Sequence, residues 1–99
     1  MLSFYVVDSE EEAIRLANAT RYGLGGYVFD ANIGHARDVA SRIESGMVYI
    51  NSCFADSPGL PFGGVKNAGF GRELSELGIG EFLNRKLVRV ADAPSLLTL

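Results

Sequence analysis

The first half of the chain shows two kinds of apolar pattern, short continuous runs and runs at helical spacing. Residues 3–7 form a β-branched and aromatic run that predicts a strand. Ser9, followed three residues later by Glu12, has the spacing of a capping box, in which two side chains satisfy free backbone N–H groups at a helix start. Apolar residues then recur at helical spacing, so we predict a helix over residues 9–19.

Two further apolar runs, residues 27–29 and 47–50, predict strands on either side of a second helix. Asp30 or Asn32 can cap that helix, and Gly46 has the position of a left-handed residue at its end. The order strand, helix, strand, helix, strand predicts right-handed crossovers. We therefore expect an α/β fold with a small three-stranded parallel sheet and flanking helices.

The second half of the chain begins with a long segment, residues 51–70, that lacks periodicity and is rich in glycine and proline. Loops of this length in compact domains are usually functional. A helical pattern returns over residues 72–84, although Gly78 and Gly80 weaken it. Residues 86–91 alternate apolar with charged side chains, which predicts a strand at an exposed edge.

Length and charge exclude several classes of protein. The 99 residues suffice for one small domain with a thin core. The formal net charge is -3 and the nine Lys and Arg residues are dispersed, so nucleic acid is not an expected partner. No apolar stretch approaches the roughly 20 residues of a membrane span, and the first residues show no export signal, so we expect a cytoplasmic location.

Cysteine and histidine usage argues against a disulfide or a metal site. Cys53 is the one cysteine, so no internal disulfide can form. It follows a predicted strand, a position open to a nucleophile, but it has no evident activator and is expected to be an inert packing residue. His35 is expected to be a solvated helix residue, and one histidine with one cysteine falls short of a zinc site.

Phe62 is the most distinctive residue of the long loop, since glycines around one aromatic let backbone pass close to a bulky group. It either contacts a ligand or anchors the loop on the core, and the pattern leaves both readings open. Residues 23–26 are also rich in glycine, but they follow a helix and lack the G-x-G-x-x-G spacing of a dinucleotide loop. Glu73, beside Arg72 at the start of a predicted helix, is expected to be a dipole and ion-pair partner.

Several ordered blocks of the chain together resemble the aldehyde dehydrogenase superfamily. They are residues 12–18 (EAIRLAN), 22–29 (YGLGGYVF), 45–51 (SGMVYIN), 61–66 (PFGGVK) and 69–73 (GFGRE). The Gly-Val-Lys form of the fourth block, with the residues that follow the fifth, looks most like succinate-semialdehyde dehydrogenases. Ala68 is a departure, because many members of the family have serine there.

The resemblance implies the carboxy-terminal part of an NAD(P)-dependent enzyme, with residues 1–84 in the catalytic domain and residues 85–99 as an oligomerisation strand and tail. In the parent reaction a cysteine thiolate attacks an aldehyde, NAD or NADP accepts hydride, and a glutamate activates the water that hydrolyses the thioester. In the family these groups and almost all of the cofactor domain lie upstream of the segment that matches Ser3. The isolated chain is therefore expected to be inactive and to bind no cofactor.

The resemblance also implies roles for individual residues. Phe62 would line the substrate tunnel, while Ser57 would hydrogen-bond a substrate carboxylate that Asp56 would repel. The strand that joins a neighbouring subunit's sheet would contain Lys86, Leu87, Val88, Arg89 and Val90. Expected partners are a second copy or the missing amino-terminal portion, with a small aldehyde in the parent. The alternative is a stand-alone, non-catalytic module that self-associates or binds a full-length relative.

Overall fold

The computed structural model describes residues 1–53 and 57–93. Within these residues the chain forms three helices and two small two-stranded sheets. In chain order the elements are α1 (Glu10–Asn18), β1 (Tyr22–Gly23), β2 (Gly25–Val28), α2 (Ile33–Arg42), β3 (Met47–Ile50), β4 (Val65–Lys66) and α3 (Ser75–Gly80). The predicted α/β class is confirmed.

Helix α1 begins where the capping pattern predicts. The backbone N–H of Glu12 donates to Ser9 Oγ over 3.2 Å, which satisfies one of the free amides of the first turn. The carboxylate of Glu12 reaches back and accepts from the N–H of Asp8 over 3.4 Å, one residue before the cap. Ile14 is buried on the inner face of this helix.

Helix α2 is capped by Asn32, whose Oδ1 accepts from the N–H of His35 over 3.1 Å. Asp30 supports the cap from outside, because its Oδ1 accepts from the N–H of Asn32 over 2.8 Å. Both polar residues named by the sequence therefore act at this helix start, with different roles. Ala36 is fully buried one turn later.

Gly46 does not end α2 in a left-handed conformation, so that prediction was wrong. The helix ends at its C-cap Ile43, which is extended. Gly46 is required for a different reason. A Cβ there would lie 2.0 Å from the carbonyl oxygen of Gly63 and 2.6 Å from Cα of Gly64. Two backbone segments approach so closely that only glycine fits between them.

The larger contact between strands is the parallel pair β2–β3, which runs in register from Gly25 opposite Met47 to Val28 opposite Ile50. The prediction of a third parallel strand at residues 3–7 was wrong. A strand forms when a neighbour accepts and donates its ladder hydrogen bonds, and residues 3–7 pair with no strand among the described residues. The parallel sheet therefore has two strands.

A second sheet was not predicted from the sequence. In it β1 pairs antiparallel with β4, with Tyr22 opposite Lys66 and Gly23 opposite Val65. Each strand has two residues and lies beside glycines, so neither produces a recognisable strand pattern. This pair ties residues 62–73, here called the glycine-rich loop, to the segment that follows α1.

The helical prediction over residues 72–84 was too long. Helix α3 contains six residues, and its N-cap Leu74 and its first residue Ser75 both have positive φ, 61° and 52°. Positive φ lies outside the right-handed helical region, so the helix does not extend back through Leu74 to residue 72. Gly80 marks the end of the helix, as its low helix propensity favours.

Residues 86–91 also differ from the prediction of a strand. They lie outside both sheets of the described chain, and the side chains of Leu87 and Val90 are 89% and 88% exposed. An edge strand needs another edge to pair with, and neither sheet extends to this segment. Whether it joins a neighbouring subunit stays a prediction.

The core of the described residues is very small. Ile14 and Ala36 are its buried apolar side chains. The radius of gyration is 21.5 Å, against about 13 Å for a compact domain of 100 residues. Among residues 1–53 and 57–93, no helix combines the length and apolarity that a membrane crossing requires.

Candidate functional site

The glycine-rich loop borders a hollow of about 440 Å³. Its walls come from the β1–β2 turn, residues 62–64 before β4, the loop between β4 and α3, and α3 with the residues that follow it. Aliphatic, aromatic and charged side chains line it, together with several glycines. The side chains include those of Leu24, Phe62, Ala68, Phe70, Arg72 and Phe82. This mixture of apolar wall and few polar groups is typical of small-molecule sites.

Two backbone hydrogen bonds close the loop at its base. The N–H of Phe62 donates to the carbonyl of Glu73 over 2.9 Å, and the N–H of Glu73 donates to the carbonyl of Phe62 over 2.6 Å. This isolated antiparallel bridge holds the two ends of the loop together. The half-buried Phe62 side chain is thereby fixed at the edge of the hollow.

Arg72 holds the interior of the loop. Its Nη1 donates to the carbonyl oxygens of Gly64 over 2.8 Å and Gly71 over 2.9 Å, with a longer contact of 3.4 Å to Phe70. A guanidinium has several donors in a fixed plane, which suits it to collect carbonyls from a folded loop. The expected ion pair with Glu73 is not formed. Glu73 precedes α3 and contributes its backbone instead.

Lys66 joins this loop to the rest of the chain. Its Nζ donates to the carbonyls of Asn18 over 3.1 Å and Thr20 over 3.3 Å, and pairs with Glu44 Oε2 over 2.7 Å. Asn18 strengthens the same junction, because its Oδ1 accepts from the N–H of Glu44 over 2.8 Å and its Nδ2 donates to the carbonyl of Arg42 over 2.9 Å. Sequence reasoning missed both residues, since their partners lie 22 to 48 positions away.

The predicted site residues do not all meet at the hollow. Phe62 lines it and also anchors the loop, so both open readings describe part of its role. Ser57 is half-buried and accepts from the N–H of Leu60 through its carbonyl over 3.0 Å, but it is not part of the lining. Asp56 lies outside the described residues. Ala68 places a methyl group, rather than a hydroxyl, at the wall.

Cys53 and His35 lie away from the hollow. Cys53 is a free, exposed cysteine, so it is not the packing residue that we expected. His35 is an exposed residue of α2, as expected, and its two ring nitrogens also contact the carboxylates of Asp30 and Glu10, which the sequence did not predict. Within the described residues, no group of three His, Cys, Asp or Glu side chains has the arrangement of a metal site.

The glycines of residues 23–26 do not form a dinucleotide loop. They belong to β1, β2 and the single residue between them, and therefore precede a strand rather than a helix N-terminus. A dinucleotide loop presents backbone N–H groups of a helix start to the pyrophosphate. Residues 23–26 do not offer that arrangement.

Comparison with known proteins decides the family. A sequence profile described as the aldehyde dehydrogenase family matches residues 1–88. The chain belongs to the aldehyde dehydrogenase family. This aldehyde dehydrogenase chain is 55% identical over 85 residues to succinate-semialdehyde dehydrogenase [NADP(+)] of Deinococcus radiodurans, which covers 86% of the chain and 18% of that relative. It is 45% identical over 91 residues to the chloroplastic betaine aldehyde dehydrogenase of Atriplex hortensis, covering 87% of the chain and 18% of that relative.

The fold agrees with solved structures of the same family. Succinic semialdehyde dehydrogenase from Streptococcus pyogenes, solved in complex with NADP+, superimposes with a TM-score of 0.80 at 53% identity. The match covers 87% of the present chain and 19% of the Streptococcus pyogenes chain. The family resemblance drawn from the sequence blocks is confirmed. The chain spans about a fifth of the length of the curated relatives that it matches. Its place within them, expected to be carboxy-terminal, stays a prediction.

Proposed function

We propose that this chain is one segment of an NADP-dependent succinate-semialdehyde dehydrogenase, and that the remainder of the enzyme supplies the thiol nucleophile, the general base and the cofactor site. The observation that carries the proposal is the 55% identity to the Deinococcus radiodurans enzyme, whose name states both substrate and cofactor. The fold similarity to the Streptococcus pyogenes enzyme in complex with NADP+ supports it.

The exposed apolar surface supports dependence on a larger protein. Phe70 and Phe82, which line the hollow, are 90% and 91% exposed. Burying an aromatic side chain stabilises a fold by about 1.5–3 kcal/mol. Two exposed phenylalanine side chains therefore do not contribute this stabilisation in the isolated chain. The described residues also place no thiol at the hollow, since Cys53 is not in its lining. We infer that the chain alone does not oxidise aldehydes.

Within this enzyme we propose that Phe62 forms part of the wall that contacts the substrate. Its backbone N–H and carbonyl are both hydrogen-bonded to Glu73, which holds the Cα of Phe62 beside the hollow. Ser57 would donate to the substrate carboxylate, and the negative charge of Asp56 would oppose it. The remainder of the enzyme would bring these groups into one site.

A chimera tests the proposal directly. The 85-residue segment of the Deinococcus radiodurans enzyme that matches this chain would be replaced by the sequence of this chain. We expect the purified chimera to reduce NADP+ with succinic semialdehyde at a rate within about tenfold of the parent. A tenfold loss corresponds to about 1.4 kcal/mol of activation free energy. The isolated chain should give no NADPH. A folded, NADP+-binding chimera without this activity would overturn the proposal.

Betaine aldehyde provides the sharpest alternative substrate, since a relative is named for it. Its quaternary ammonium is positive where succinic semialdehyde carries a carboxylate. A chimera that prefers betaine aldehyde would assign the positive substrate and reverse the roles of Ser57 and Asp56. Ser57→Ala should raise KM for succinic semialdehyde roughly ten- to hundredfold, as expected for a lost hydrogen bond to a charged group. The same substitution should leave the KM for uncharged butanal unchanged.

A second candidate function is subunit association through the predicted strand, residues Lys86, Leu87, Val88, Arg89 and Val90. Leu87, Val88 and Val90 are all exposed, which leaves an apolar row available to another sheet edge. We propose that this row pairs with a neighbouring subunit of the enzyme. Light scattering after size-exclusion chromatography checks it in the chimera. Val88→Lys should lower the oligomeric mass, whereas Arg89→Lys should leave it unchanged.

A further inference from the structure

His35 lies between two carboxylates that come from different parts of the fold. Its Nδ1 is 2.5 Å from Oδ2 of Asp30, in the turn after β2, and its Nε2 contacts Oε2 of Glu10, in the first turn of α1. The three side chains, here called the His35 bridge, join residues 25 positions apart. None of them belongs to the hollow around Phe62.

The geometry of the His35 bridge determines its protonation. An ionised carboxylate only accepts hydrogen bonds, so a ring nitrogen facing one must carry a proton. Both nitrogens of His35 face carboxylates, which requires the imidazolium form. A neutral ring would turn one lone pair towards a carboxylate and lose that contact. The bridge is therefore complete only when His35 is charged.

We propose that the His35 bridge is a pH-dependent contact that holds the start of α1 to the start of α2. The contact opens when His35 loses its proton. The side chains remain 28–45% exposed, so protons reach them without unfolding. An exposed bridge of this kind is a small, reversible contribution and not a large store of stability.

Other charged groups surround the bridge. Arg42, also on α2, lies 3.8 Å from Glu10 and pairs with Glu11 at 2.5 Å, while Asp38 acts electrostatically on Arg42. Asp8 and Glu10 also line the groove between the two helices that contains His35. His35 lies in the first turn of α2, where the positive helix end disfavours an added positive charge. The two carboxylates oppose this effect.

The direction of the titration follows from these contacts. The hydrogen bonds that His35 donates to Asp30 first, and then to Glu10, raise the pKa of His35 above its ordinary value of about 6.5. Stability from a raised histidine pKa is fully present below about pH 6.5 and is lost as pH rises through the folded value. The His35 bridge should therefore open as the pH rises above about 6.5 and through the raised pKa of His35.

Proton NMR tests the proposal on the full chain, because His35 is its one histidine and its ring signal needs no assignment. We expect the wild-type ring to titrate above pH 6.5 and the E10Q ring to titrate lower. Glu12→Gln is the matched control, since Glu12 shares the first turn of α1, does not contact His35, and glutamine retains the capping box. A wild-type ring that titrates at its ordinary value, or an E10Q ring equal to wild type, overturns the proposal.

Hydrogen exchange provides a second measurement. It tests whether the His35 bridge stabilises the start of α1, as opposed to a change in the charge of His35 alone. The N–H of Ala13, bonded to the carbonyl of Ser9, reports opening at the start of α1. After correction for intrinsic exchange, its protection should fall about two- to fivefold as His35 deprotonates, the range of an exposed ion pair. His35→Gln should abolish this pH dependence. The same fall in the H35Q variant would show that the bridge does not hold α1.

Discussion

The side chain of Asn51 pairs with the backbone of Asp30 on both of its polar groups. Asn51 Oδ1 accepts from the N–H of Asp30 over 2.9 Å, and Nδ2 donates to its carbonyl over 2.8 Å. The backbone N–H of Asn51 also donates to Val28 over 2.8 Å. The parallel ladder of β2 and β3 thus continues for one more step through a side chain, beside the turn that carries Asp30.

The first prediction concerns Asn51, whose φ is 57°. Asn51→Ala removes both hydrogen bonds and puts a residue without local polar support in the left-handed region, so we expect a loss of about 2 kcal/mol in unfolding free energy. Asn51→Gly relieves the backbone but still lacks the bonds, and should cost about 1 kcal/mol. Urea denaturation followed by circular dichroism measures both. Equal losses would mean that the backbone conformation contributes nothing.

The second prediction concerns the close approach at Gly46. An added Cβ would meet the carbonyl oxygen of Gly63 at 2.0 Å, and the backbone has no space to absorb it. We expect Gly46→Ala to cost about 3 kcal/mol, at the upper end for overpacking. Gly59→Ala is the matched control, because its Cβ would meet nothing within 4 Å, and it should be neutral or slightly stabilising. A neutral Gly46→Ala would contradict the observed backbone contact.

Local signals account for the parts of the fold that the sequence predicted. Ser9 and Asn32 cap their helices through residues three positions away, so a short window contains the whole interaction. The run at Met47–Ile50 was predicted with its observed bounds. Residues 3–7 failed as a strand because a ladder needs a partner, and pattern alone does not supply one. The strand at residues 86–91 would take its partner from a neighbouring subunit and stays a prediction.

The candidate site was predicted less completely, for a related reason. Phe62 stood out because it is an aromatic among glycines, and it does line the hollow. No local sequence pattern distinguishes Lys66 or Asn18, because both act through hydrogen bonds to backbone groups that are distant in the sequence. The contacts of His35 were not predicted, because Glu10 and Asp30 meet it only after β2 and both helices are in place.

The third prediction separates the two roles of Lys66. Its ammonium makes one ion pair, with Glu44, and two hydrogen bonds to carbonyls. Lys66→Met removes all three and should cost about 2 kcal/mol, whereas Glu44→Gln removes only the partly exposed pair and should cost at most about 1 kcal/mol. Urea denaturation at low and high salt distinguishes them. Losses of equal size would assign the effect of Lys66 to the pair with Glu44 alone.

The fourth prediction concerns acid pH. The hydrogen bond from the backbone of Asn32 first, and then the contact with His35, lower the pKa of Asp30, and the pairing with Arg42 lowers the pKa of Glu11. A lowered carboxyl pKa contributes stability above its unfolded value, about 3.9 for Asp, and this stability is lost as pH falls through the folded value. The temperature of the unfolding midpoint should therefore decrease as the pH is lowered below about 4. Asp30→Asn keeps an acceptor for Asn32 and should show a shallower fall, while a curve parallel to wild type would contradict the role of Asp30.

The last prediction concerns the thin core of the chain. Only Ile14 and Ala36 are buried apolar side chains among the described residues, so unfolding exposes little new surface. The urea m-value scales with that surface, and it should be about 1 kcal/mol/M or lower, at or below the range of small compact proteins. Open apolar side chains should also bind a hydrophobic dye under native conditions. In the chimera the rest of the enzyme covers these side chains, and dye binding should fall. A steep transition without dye binding by the isolated chain would show that it packs its apolar residues without any partner.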